Sequence, residues 1–80
     1  MNSPDMDKRK QLTDILHKLN QPLTAINNYA QAGSLMLAAG KPDQERLQEL
    51  FTKIVDQSTR SVEISKELRE LASKPLSSES

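Results

Sequence analysis

The chain carries one histidine, His17, and no cysteine. Neutral imidazole is a competent nucleophile towards phosphorus near pH 7, so His17 is the side chain best suited to covalent chemistry. Five residues on, within HKLNQPLTAI (17–26), stands Pro22. In a helix interior, proline removes one backbone hydrogen bond and crowds the preceding turn, at a cost of ~3 kcal/mol. Pro22 cannot donate to the carbonyl of Lys18, which loosens the helix immediately under His17. A locally bendable segment suits a reactive side chain that must be offered to different partners. The plainer alternative is a tolerated surface histidine, and spacing alone does not exclude it. Asp14, one turn before His17, is open to two readings as well: a carboxylate holding the imidazole, or a solvated acid.

The elements that position His17 follow from punctuation and periodicity. Ser3-Pro4-Asp5 is a helix start, with Ser as N-cap, Pro at the first helical position, and Asp5 and Asp7 near the positive end of the dipole. Gly40-Lys41-Pro42-Asp43 closes that helix and opens the next, and Pro75 follows the second helix. The pattern predicts helices over about 4–39 and 43–72, a single helical domain over 1–73, and a frayed polar tail over 74–80. On the first helix Leu12, Ile15, Leu16, Leu19, Leu23, Ile26, Ala30, Gly33 and Leu37 gather into one apolar stripe. On the second, Leu47, Leu50, Ile54, Gln57, Ser61, Ile64, Leu68 and Leu71 alternate by three and four, as in a bundle seam. A lone hairpin of such helices would be a long rod with much of both stripes exposed. The expected fold is therefore all-α: an antiparallel two-helix hairpin that pairs with a second copy as a dimeric four-helix bundle.

On this wheel His17 falls about 155° from the centre of the stripe and faces water. Gln21, Thr24, Asn28 and Gln31 share its side, and no charged residue occurs between Lys18 and Lys41. A solvated helix face normally carries Lys, Glu and Arg, as the second helix does with the possible pairs Glu49–Lys53 and Asp56–Arg60. A partner can bury an uncharged polar strip without desolvating ions. Gln57 and Ser61, about level with Pro22 in an antiparallel hairpin, are either polar registry devices or a simple loosening of the core. Tyr29 is expected to pack with its hydroxyl at the surface, and Met36 to fill apolar space.

Composition narrows the classes further. Eleven basic residues balance eleven acidic ones, which argues against nucleic acid or an anionic membrane as the main partner. One Phe and one Tyr are too few to stack bases. A single histidine without cysteine argues against a zinc site. No apolar run approaches a membrane span and the N-terminus lacks the apolar core of a signal peptide, so the default location is cytoplasmic.

His17-Lys18-Leu19-Asn20-Gln21-Pro22-Leu23 resembles the H-box of sensor histidine kinases, usually H-E-x-x-[TN]-P-L, and especially the H-E-L-N-Q-P-L-T-A-I subgroup, with nine of ten positions matching. In weaker form the resemblance covers residues about 8–72, the extent of a dimerisation and histidine-phosphotransfer (DHp) domain. It implies a homodimeric bundle in which His17 accepts phosphate, Pro22 is the structural kink beneath it, and Gln21 is the counterpart of the Thr or Asn used in phosphatase action. The implied partners are a response-regulator receiver domain, a histidine kinase, or both, with Asn20, Gln21, Thr24, Asn28 and Gln31 as the partner-binding strip. No cofactor is implied in this chain, while a receiver would bring its own magnesium.

Two departures matter. The family's acid after the histidine, which takes up the imidazole proton during attack on ATP, is here Lys18, and a protonated lysine cannot do this. The sequence also has two glycines in all and no glycine-rich segment to cradle a triphosphate, so these residues do not make a kinase on their own. The expected function is a two-component signalling module that binds a receiver or a kinase and modulates signalling, with phosphotransfer through His17 left open. The alternatives are a DHp fragment of a full sensor kinase, or a plain helical dimerisation module.

Overall fold

The computed structural model describes residues 4–73, with side chains from residue 7 onward. The N-cap expected at Ser3 and the tail expected over 74–80 lie outside the described residues. Helix α1 spans Pro4–Ala38 and helix α2 spans Gln44–Ser73, and α1 continues through Pro22 without a break.

The turn between them is built from the residues that punctuate the sequence. At the end of α1 the Ala39 N–H donates to the Leu35 carbonyl (2.9 Å) and the Gly40 N–H to the Leu37 carbonyl (3.1 Å). Gly40 itself takes φ 72°, the left-handed conformation that glycine enters without a Cβ penalty. Asp43 caps α2: its Oδ1 accepts from the Arg46 N–H at 3.3 Å, and its carbonyl from the Leu47 N–H at 2.9 Å. The Asp43 N–H donates to Met36 Sδ at 3.4 Å, so Met36 is an acceptor in the turn as well as apolar filling.

Contacts along the hairpin fix its direction. Near the turn, Gly33 faces Leu47 and Leu50; farther out, Tyr29 meets Lys53; farther still, Lys18 reaches Glu67. Falling numbers on α1 match rising numbers on α2, so the helices are antiparallel. Their seam alternates by three and four on both sides: Leu12, Ile15, Leu19, Pro22, Ile26, Tyr29, Gly33 and Met36 against Leu47, Leu50, Ile54, Gln57, Ser61, Ile64, Leu68 and Leu71. The α2 pattern is the predicted one. The α1 stripe, in contrast, divides. Leu16, Leu23, Ala30 and Leu37, spaced by seven, stand exposed outside the seam. A single neighbouring helix can cover only a narrow strip, and this row lies about 80° round from it.

Phe51, Val55 and Val62 form a corresponding exposed row on α2, turned from the seam in the same rotational sense by about 80–130°. Equal rotations on antiparallel helices point to the same side, so one flank of the hairpin is an apolar face. The opposite flank carries the polar cross-helix contacts, Lys18–Glu67 and Lys53–Tyr29.

The result is a rod of 61 × 18 × 13 Å. Among the described residues only Pro22 and Ile64 are buried, Ile64 at 2% exposure. The chain exposes 6321 Å², against roughly 4,900 Å² for a compact monomer of its mass.

Candidate functional site

His17 sits exposed on the turn of α1 just before Pro22, on the side of the helix away from the seam. It lies in a shallow groove lined by Thr13, Leu16, His17, Leu19, Asn20 and Leu23. The imidazole therefore stands at the border between the outer face of α1 and the apolar row. Among the described residues no hydrogen bond reaches it, and Asp14 does not hold it. Asp14 turns instead into a separate groove with Gln11, Ile15, Glu67, Glu70 and Leu71. An exposed imidazole with neither nitrogen bonded to a described residue is accessible to an incoming electrophile.

Asn20, Gln21, Thr24, Asn28 and Gln31 are all exposed, so the uncharged strip runs outward along α1 as the wheel predicts. It ends at Leu35, 70% exposed and on the same line as His17. Leu35 escaped notice in the sequence because it belongs to neither apolar row. Pro22 occupies the opposite situation: its ring is fully buried in the seam. The antiparallel register places it level with Ser61 to Ile64. Burial of the ring against α2 offsets part of the cost of proline inside the helix.

Lys18 is the unexpected residue. Its Nζ donates to both carboxylate oxygens of Glu67, at 3.2 and 3.3 Å, across the hairpin. The two side chains are about half exposed, 48% and 47%. Forty-nine residues separate them in sequence, so no local pattern announces the pair; only extending the register outward from the turn would have brought them together. The pairs expected within α2, Glu49–Lys53 and Asp56–Arg60, do not form ion pairs among the described residues. Lys53 lies instead 5.6 Å from the centroid of the Tyr29 ring, an exposed cation–π contact. Ser61 donates to the Gln57 carbonyl at 2.9 Å, satisfying its hydroxyl within α2 rather than across the seam.

An antiparallel helical hairpin that offers one unengaged histidine a turn ahead of a buried helix-interior proline has the form of a histidine phosphoacceptor module. A family model described as the His Kinase A (phospho-acceptor) domain matches residues 7–76, and the chain belongs to that family. It is thus a DHp-type module of two-component signalling. No curated protein and no solved structure matched the chain. Among the described residues no helix is long and apolar enough to cross a membrane.

Proposed function

We propose that two copies of this hairpin pack as a four-helix bundle that binds a receiver domain or a histidine kinase through the outer face of α1, with His17 as the phosphoacceptor. Pairing is supported by the apolar flank, on which Leu16, Leu23, Phe51, Val55 and Val62 are each about half exposed or more. A second copy laid flank to flank would bring Leu16, Leu23, Phe51, Val55 and Val62 into a common core and leave His17 outside it.

The observation that carries the functional reading is the exposure of His17, without a hydrogen bond among the described residues, on a strip free of charge. In phosphotransfer from a receiver, an imidazole nitrogen attacks the phosphorus of the aspartyl phosphate. The N–P bond forms, the P–O bond to the carboxyl breaks, and the aspartate leaves as its carboxylate. The receiver's acidic, metal-bearing site supplies most of the charge stabilisation, so this step needs no base beside His17. Attack on ATP presented by a kinase is different. Lys18 is engaged with Glu67 and offers no proton acceptor, which favours an interaction and phosphotransfer role over that of a kinase substrate.

Incubation with phosphorylated receivers and with kinases tests this. Acid-labile label should reach the chain from a receiver, be abolished by His17→Ala, and arrive poorly from ATP and a kinase. No label from any receiver, together with unchanged signalling by His17→Ala, would reduce the chain to an interaction module. Efficient labelling by a kinase would overturn the distinction drawn from Lys18.

A further inference from the structure

We infer that the Lys18–Glu67 pair is a clamp across the weak point of α1, which makes Glu67 a positioning residue for His17. Two independent features converge on Lys18. Its carbonyl is the one that would accept from residue 22, and Pro22 has no N–H to give. Its ammonium is the one tied to α2, through both oxygens of Glu67. The residue at which the helix loses its own hydrogen bond is therefore the residue held from outside by the neighbouring helix. The turn that contains Lys18 and leads into Pro22, His17 to Gln21, carries the proposed phosphoacceptor.

The geometry gives the clamp a defined action. Lys18 and Glu67 lie on the polar flank, away from both the apolar flank and the outer strip, so the pair can open without disturbing either surface. With the clamp closed, α1 is pinned to α2 at the level of His17 and Pro22 is kept seated in the seam. With it open, the turn is held to α2 by the packing of Leu19 and the proline ring without a polar tie, and the imidazole gains freedom to swing with it. An acid at position 18 would instead face Glu67 and repel it. The lysine next to the histidine and the glutamate forty-nine residues later are thus one structural unit.

The proposal rests on the role proposed for His17 only for its functional consequence; the clamp itself is measurable in the chain alone. Amide hydrogen exchange of the full chain, read by residue, compares wild type, Lys18→Gln, Glu67→Gln and the exchanged pair Lys18→Glu/Glu67→Lys. Each single change should speed exchange in the His17–Gln21 turn about two- to fivefold, the range for a half-exposed ion pair, with Leu47–Ile54 unaltered. The exchanged pair should restore protection to within about twofold of wild type, and 1 M salt should erase the difference between wild type and singles. Unchanged exchange in the singles, acceleration spread evenly over both helices, or failure of the exchanged pair to restore protection would each overturn the clamp. None of these readings requires a phosphoryl donor, so a chain that never accepts phosphate leaves the test of Glu67 intact.

Discussion

Two leucines on α1, both exposed in the single hairpin, should behave in opposite ways when shortened. Leu23 (48% exposed) lies in the apolar row and Leu35 (70% exposed) on the line of His17; twelve residues apart, they point about 120° from each other. Burying a leucine side chain completely is worth roughly 1.5–3 kcal/mol, and about half of Leu23 is already covered by its own chain. Covering the remainder against a second copy therefore contributes about 1 kcal/mol per chain. In a symmetric dimer the loss counts twice, so Leu23→Ala should weaken dimerisation by about 2 kcal/mol, roughly thirtyfold in Kd. Leu35→Ala should change it by less than about twofold. Sedimentation equilibrium over a range of concentrations measures both, and dilution of the Leu23 variant should lower helicity and melting temperature together. Equal weakening by the two substitutions would refute the assignment of faces, and a wild-type chain that stays monomeric and equally stable at all concentrations would refute the bundle.

The two glycines should respond with opposite signs. A Cβ at Gly33 would lie 3.6 Å from Leu47 Cδ2 and 3.8 Å from Leu50 Cδ1, ordinary contact distances, so Gly33→Ala should stabilise the chain by about 0.5–1 kcal/mol through helix propensity. Gly40 at φ 72° has open space around it but a backbone that L-residues rarely adopt; Gly40→Ala should destabilise by about 1 kcal/mol. Denaturant titration of both variants checks the pair. On the outer strip, Thr24→Glu or Asn28→Glu should weaken receiver binding, read by calorimetry, while the dimerisation constant stays within about twofold of wild type. Loss of folding in either variant would place that strip inside the bundle.

The two helices and the turn between them were legible because their causes are local. The Gly40 and Asp43 turn chemistry acts over a few residues, and the three-four alternation of α2 describes one contact strip and nothing else. The exposure of His17 and of the uncharged strip followed from helical geometry alone, and the motif around His17 was legible within ten consecutive residues, nine of which match. On α1 the sequence shows a broad apolar stripe but not how it is shared. Leu12, Ile15, Leu19 and Ile26 look no different from Leu16, Leu23 and Leu37 until a neighbouring helix takes up one position. Tertiary structure made that division, because a hairpin partner covers one narrow strip and leaves the adjoining row for another surface. It also decided what Lys18 does: a lysine in place of an acid reads from sequence as a loss of chemistry. The register of the hairpin turns it into one half of a cross-helix contact, since the position of Glu67 depends on the turn and on every residue packed between.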